Sequence, residues 1–441
     1  MREHRTANLR LVLAVAAAAA FAAPAAAETV VVLTGRDIAV VDTESQAPVP
    51  PSAVHEITGL LLNDRIASID TRTTTGVLYG FAQNRLYTID PATGVATLAG
   101  PRADTGIPGA TDFDPASGLL RMVSFRRATL AQPDSDERSS RLDPDTMRLV
   151  AVDPTYAEPY EPYSRTLVYA PGDPGVGSVP QITTIAHDPS ASGALYGIDS
   201  ARSTLVRIGA FGAAPDSNEA QRVHTVAPLT GLPDGATVYA LEITSDGTAL
   251  ALSRLSWRTG VSRIDLTTGE ATVLRDLADP IVDAIDLALA PTATLPAASA
   301  LDVRLARVRT VYSPGNTYES IDVRGSISLL PGDLAGNSLR VDVGGAVVEF
   351  TIRRTGRAAW VGVAGRGRDS IRLRAVRLRG GDRRIDYVMR LQPNFSDNRN
   401  KMELMPGGLG PFVSYVGLSF DGATFVATTQ FQKVAKRFGS R

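Results

Sequence analysis

Cysteine is absent from all 441 residues, which excludes disulfides, thiolate metal sites, cysteine catalysis and a lipidated cysteine anchor. Histidine occurs four times, as His4, His55, His187 and His224, and no two of these stand at metal-ligand spacing. Lysine is reduced to Lys401, Lys433 and Lys436, so the positive charge of the chain is almost entirely guanidinium. Beyond residue 27 no apolar run approaches the roughly 20 residues that span a bilayer, and no transmembrane segment is expected in the mature chain. There is no nucleophile elbow, no phosphate-cradling glycine loop and no zinc-binding helix motif. The acidic groups Asp112 with Asp114, Asp134 to Glu137, and Asp143 with Asp145 lack the Asp-x-Asp-x-Asp-Gly spacing of a calcium loop. They read as turn-forming and solvated acids, so neither a metal nor another cofactor is expected.

What is present begins with a targeting segment. Arg2, Arg5 and Arg10 precede an apolar, alanine-rich stretch over residues 11–23, followed by Pro24 and three alanines. A basic flank, a short apolar region and small residues describe a secretory signal peptide over residues 1–27, which places the mature protein in the periplasm or outside the cell. With 44% apolar residues in a chain of this length, two domains with substantial cores are expected.

The organisation of the first domain lies in repeats. Ile66 to Gly80 is echoed by Ile185 to Gly197, and weaker copies stand at Thr111 to Leu120 and Leu241 to Leu250. Each copy is two apolar runs about an Asp-to-Gly turn, which is a β-hairpin. A second motif follows the first: Arg85 to Leu98 matches Ser262 to Val273 around Asp-x-x-Thr-Gly. There Asp accepts hydrogen bonds from the amides that follow it, and Gly supplies the positive φ that closes the hairpin. Two hairpins in series make a four-stranded meander of blade size, so residues 28–291 are expected to form a β-propeller. Blades are placed near residues 66–100, 108–170, 182–229 and 237–277. A fifth would join residues 29–42 to the lone strand at 282–290, removing the exposed sheet edges. Six blades is the alternative, because the long segment 156–180 contains the strand-like run 165–170.

Leu195-Tyr-Gly-Ile-Asp-Ser200, with Thr204-Leu-Val after it, and Leu86-Tyr-Thr-Ile-Asp-Pro-Ala-Thr-Gly94 resemble the repeats of a family of exported bacterial proteins known only as a domain of unknown function. The resemblance covers roughly residues 30–290. It implies a propeller-like fold and export, and brings no catalytic residues. An Asn-hydrophobic-Arg-hydrophobic-Asn-Pro element common in that family's second blade is reduced here to Ser140-Arg141-Leu142-Asp143-Pro144.

Charge divides the chain near residue 300. Residues 28–299 hold 19 Arg against 33 acids, whereas residues 300–441 hold 23 Lys plus Arg against 12 acids. After a linker over 292–300, residues 301–432 alternate in strand fashion and are expected to form a β-sandwich, with a polar tail at 433–441. The run from Ser370 to Arg379 alternates arginine with apolar residues. Arg372, Arg374, Arg377 and Arg379, extended by Arg383 and Arg384, therefore form one cationic face, suited to a polyanion or to docking on the acidic domain. Nucleic acid is not expected as a partner, because no aromatics interleave with these arginines.

The expected function is that of an exported, non-enzymatic propeller binding or scaffold protein of the cell envelope or extracellular space, with a protein or glycan ligand. One alternative is a metal-dependent hydrolase or lactonase using the propeller's central cavity, with Asp112, Asp114, Asp188 and Asp286 as the residues to suspect. Another is an anionic-glycan binder acting through the C-terminal arginine face. None of the histidines is assigned a role; His187, just before a turn, is expected to pack at a strand end.

Overall fold

The computed structural model describes residues 28–61, 64–100, 102–103, 109–126, 136–150, 164–189, 193–209, 221–256, 258–293, 301–313, 316–328, 334–364, 369–377, 383–392, 411–420 and 423–437. The signal segment and most of the linker lie outside them. Among the described residues no helix is long and apolar enough to cross a membrane.

Five four-stranded units make the first half. The first blade joins both ends of the propeller: Asp286–Leu289 pairs with Thr29–Leu33, which pairs with Asp37–Asp42 and then Val54–Glu56. Its register puts Val30 opposite Leu289 and Leu33 opposite Asp286. The second blade is Ser68–Arg72, Val77–Ala82, Arg85–Asp90 and Val95–Leu98. The third is Ala110–Phe113, Leu120–Arg126, Asp136–Asp143 and Arg148–Leu149. The fourth is Ile182–His187, Leu195–Asp199, Thr204–Ile208 and Arg222–Pro228. The fifth is Thr237–Ile243, Ala249–Leu255, Arg258–Ile264 and Ala271–Leu277. The innermost strands pack against one another in a ring around the axis.

The six-bladed alternative fails on the segment that suggested it. Ser164–Thr166 pairs with Asp136–Asp143 in the third blade, and Val168–Tyr169 runs parallel to Arg222–Pro228 in the fourth. This stretch bridges two blades and adds none.

Local chemistry explains the hairpins. Asp90 Oδ1 accepts the amide of Ala92 at 3.0 Å, and Thr93 Oγ1 donates to Asp90 Oδ2 at 2.8 Å. Gly94 then turns at φ +71°, where an added Cβ would stand 2.3 Å from the Glu56 carbonyl oxygen. Gly269 repeats this at φ +72°. Only glycine satisfies both the dihedral and the close approach. Between blades the packing is apolar. Val77–Ala82 is buried along its whole length, and each such Val, Leu or Phe contributes about 1.5–3 kcal/mol by leaving water.

The C-terminal half is a closed nine-stranded barrel, which corrects the β-sandwich expected above. In order around the barrel the strands are Leu301–Ser313, Asn316–Ser328, Arg383–Leu391, Asp369–Arg377, Ala359–Ala364, Ala346–Gly356, Ser338–Val343, Phe412–Phe420 and Ala423–Arg437. The last strand closes on the first in parallel, from Arg307 opposite Gln432 to Tyr312 opposite Arg437. That strand therefore continues into the segment read as a tail. Alternation of apolar and polar residues is common to a sandwich and a barrel. What distinguishes them is whether the first and last strands pair, and no local pattern encodes that. Phe350, Tyr387, Phe431, Ile371 and Leu373 fill the interior, so the barrel is a packed core and not a channel.

The two halves touch through buried, specific contacts. The Arg102 amide donates to Asp342 Oδ2 at 2.6 Å, Tyr415 Oη donates to the same oxygen at 2.8 Å, and Arg340 donates to the Arg102 carbonyl at 2.9 Å. The Tyr415 ring belongs to the apolar core shared by the first and second blades and lies under the Arg85 guanidinium, 5.2 Å from the ring centroid.

Candidate functional site

The innermost strands set the site. Register fixes which residue of each strand stands at the same height: Asp70 faces Tyr79, Asp112 faces Arg121, Ala186 faces Tyr196, Glu242 faces Leu250 and Ala288 faces Val31. Asp112, Ala186 and Glu242 stand in the last pair but one before their hairpins close, and Asp70 in the pair before that. Three blades therefore carry a carboxylate at this position and two carry alanine. Asp286 stands two residues before Ala288 on the strand of the first blade, with its side chain on the same face.

Asp70, Asp112 and Glu242 converge on the propeller axis, each offering one oxygen within 4.8 Å of the others. All three are buried. They line a cavity of about 390 Å³ together with Asp286, Ser68, Thr111, Thr183 and Thr184. Phe125 and Tyr239 also line it, and both remain exposed, at 42% and 46%, which marks them as its mouth.

The carboxylates are held by the fold as well as aimed into the cavity. Asp286 Oδ2 accepts the Ile69 amide at 2.8 Å, Asp70 accepts the Phe113 amide, and Asp112 accepts the His187 amide at 2.9 Å. Each bond runs from the inner strand of one blade to that of the next, so the acids pin the ring as they face the axis. Ser68 and Thr111 share a further 2.7 Å hydrogen bond, again between blades.

Electrostatically the site is unbalanced. Burial pushes Asp70 well above the usual carboxylate range, and the charges of Asp112 and Glu242 push it further. Burial does the same to Glu242, reinforced by Asp112 and Asp286. Asp286 is raised to about 7, mainly by burial. Asp112 is also raised by burial, but less freely, because His187 Nδ1 touches its carboxylate. A site that crowds buried carboxylates in this way does one of two things. It shares protons among them, or it takes a positive charge that restores the ionised forms. The donors are all oxygen, the set that suits a hard cation such as calcium or magnesium.

The residues suspected from sequence divide evenly. Asp112 and Asp286 line the cavity. Asp114 does not: its carboxylate accepts the Ala116 amide at 2.9 Å and the Ser117 hydroxyl at 2.6 Å, as a turn acid. Asp188 sits at the matching turn of the fourth blade, its amide donating to the Ala194 carbonyl at 2.7 Å. Asp70 and Glu242 are hidden in the sequence, because matching the copies by their Asp-to-Gly turns puts Asp70 in the place of the turn acid. The turn in fact opens at Arg72, since the Gly76 amide bonds to the Arg72 carbonyl as the Gly118 amide bonds to that of Asp114. Counting two residues back from each turn would have found Asp70, Asp112 and Glu242 together. His187 lies at the height of Phe113, as read, yet Thr71 and not Ile69 is its counterpart in the second blade. His55 and His224 are on strands away from the cavity.

On the barrel, Arg372 and Arg374 point outward and are exposed, while Ile371 and Leu373 between them are buried. Arg384 is half-buried and pairs with Asp386 at 3.0 Å. Arg377 and Arg383 lie within their strands, but their side chains, and Arg379 altogether, are outside the described residues.

Among solved structures, similar chains include one from a nidogen–laminin complex, with 10% identity, a TM-score of 0.37, and coverage of 60% of this chain and 99% of that one. The hydrazine synthase of Kuenenia stuttgartiensis gives 14% and 0.28, covering 72% of this chain and 79% of that one. Regucalcin, a calcium-binding protein of Agrobacterium tumefaciens, gives 13% and 0.31, covering 68% and 77%. Likenesses this distant carry no argument about a ligand. No curated protein matches in sequence. A family model matches residues 39–288, more than half of the chain and nearly the whole propeller, and the protein belongs to the family described as Domain of unknown function (DUF4394).

Proposed function

We propose that this is an exported, non-enzymatic binding protein of the cell envelope or extracellular space, whose propeller axis receives a positively charged group. The observation that carries the reading is the convergence of Asp70, Asp112 and Glu242 in one buried cavity. The raised pKa values support it. A cation would offset the mutual repulsion and the burial that raise these acids, and binding would tighten as pH rises through about 7, where Asp286 ionises. The exposed faces of Phe125 and Tyr239 at the mouth suit the passage of a cationic head group over aromatic rings. The basic barrel serves as the scaffold to which the propeller is fixed.

The metal-dependent hydrolase or lactonase draws on the same three carboxylates. The test separates the readings. Mature protein is titrated with calcium, magnesium or manganese chloride, and separately with tetramethylammonium and spermidine, and followed by calorimetry and thermal melting. A ligand at a hundred times its Kd raises stability by about 2.7 kcal/mol. Asp70→Asn and Glu242→Gln are expected to abolish that gain. Ester or lactone hydrolysis that needs a metal and is lost in Asp70→Asn would replace the binding reading with the enzymatic one. No response to any of the cations at pH 8 would overturn both.

A further inference from the structure

The barrel carries a second concentration of unneutralised charge, and the register shows an order in it that the linear sequence hides. Arg353 stands opposite Val361, Val361 opposite Arg372, Arg372 opposite Val388, and Val388 opposite Arg324. These residues form one line across five adjacent strands of the nine. Their sequence neighbours Ile352, Ile371, Leu373, Val323 and Met389 point into the core, so the line itself points outward. Arg324, Arg353 and Arg372 are all exposed, as is Val388. With adjacent strands about 4.8 Å apart, the three arginine positions recur about every 10 Å.

None of the three arginines has an ion pair among the described residues. The acids on this face are already engaged. Asp322 holds Arg390 at 2.9 Å and Arg309 at 3.7 Å, and Asp386 holds Arg304 at 2.9 Å and Arg384 at 3.0 Å. Nor does the acidic propeller neutralise the line. Among the described residues its hydrogen bonds, ion pairs and ring contacts fall on Ser338, Arg340, Asp342, Tyr415 and Ser419, on strands outside the five, and, within the five, on Glu349, which meets Arg148 at 3.2 Å.

We propose that this line is a binding surface for a linear anionic polysaccharide, carboxylated or sulfated, lying across the barrel strands. A guanidinium forks onto either kind of acid group, and evenly spaced arginines fit a polymer that presents one acid per short repeat. The valines between them offer apolar contact to the carbon faces of sugar rings. The line wraps a convex wall, which a flexible chain follows and a flat membrane touches over only part of its length. Single-stranded nucleic acid is disfavoured because the residues between the arginines are aliphatic and offer no stacking platform.

The test uses the mature full-length chain with alginate as the carboxylated probe and heparin as the sulfated one, at low and moderate salt. Wild type is expected to bind at least one of them, with affinity falling steeply as salt rises. The variant Arg324→Gln/Arg353→Gln/Arg372→Gln is expected to lose about tenfold or more, with a shallower salt dependence. The control Arg304→Gln/Arg309→Gln/Arg390→Gln removes the same charge from arginines that already have acid partners, and is expected to stay within about threefold of wild type. Thermal melting checks that both variants are folded. Absence of binding to either glycan at low salt would overturn the proposal. So would an equal loss in both triple variants, or tighter binding to duplex DNA or phosphatidylglycerol vesicles than to the glycans.

Discussion

The propeller and the barrel are both closed β-structures, and they treat their centres in opposite ways. The barrel fills its axis with Phe350, Tyr387, Phe431 and aliphatic side chains from every strand, leaving nothing there but a core. The propeller keeps its apolar packing between blades and lines its axis with carboxylates, threonines and a cavity. The difference follows from geometry. A barrel strand presents one face inward, and a small barrel's interior is just large enough for those side chains to fill. A propeller's inner strands present edges and side chains to a hole that five blades cannot close, so polar groups there keep access to solvent or ligand. One domain therefore has a cavity at its axis, and the other offers only its outside wall.

If that contrast is right, damage to the barrel core should cost stability and leave the axial site intact. Phe350→Ala is expected to destabilise the protein by about 3–5 kcal/mol, measured by urea unfolding, because Phe350 is fully buried and packs on Gly362, which has no side chain to refill the space. The cation response of the folded variant should be unchanged. Its loss would show that the two centres are not independent.

A sharper probe is Asp286, whose carboxyl is raised to about 7 by burial. Its folded value lies above its unfolded value. The stability linked to it is therefore fully present below about pH 4 and is lost as pH rises through about 7, by up to roughly 4 kcal/mol. Asp286→Asn keeps an oxygen to accept the Ile69 amide and should remove this fall. Comparing the two proteins in cation-free buffer separates the effect from the other buried acids that are raised, Asp70, Asp112, Glu242 and Glu137, the last to about 8. Parallel pH profiles for variant and wild type would mean that Asp286 remains ionised in the fold.

The smallest effect concerns the joint between the two regions. Asp342 accepts from the Arg102 amide, from Tyr415 and from the Gly345 amide. Asp342→Asn leaves one of these donors without an acceptor, a cost of about 1–3 kcal/mol. Calorimetry is expected to show the single melting transition broaden or split as propeller and barrel begin to unfold separately. A sharp, unshifted transition would mean that the contact contributes nothing to their coupling.

Much of the propeller was legible because its signals are local. Asp-Pro-Ala-Thr-Gly94 and Asp-Leu-Thr-Thr-Gly269 encode their own turns, and the orphan strands at 29–42 and 282–290 left pairing as the way to cover two edges. The axial site was half legible. Asp112 and Asp286 stood out, while Asp70 was hidden by a two-residue misalignment of its repeat and Glu242 by the drift of its copy. A two-residue error keeps a side chain on the same face but moves it along the strand, so periodicity alone did not reveal it. The sandwich reading failed where information was least local, since it turned on residues 307–312 meeting 432–437 across the whole domain.

The amino-acid sequence by itself determined the hairpins, the repeat, the division of charge and the alternation that sends Arg372 outward and Ile371 inward, because each depends on neighbours within a few residues. Tertiary structure alone decided which carboxylates meet at the axis, that the second domain closes into a barrel, and that Arg353, Arg372 and Arg324 fall into line. Those outcomes depend on strand register between segments far apart in the chain, and register is settled only when the blades and the barrel pack.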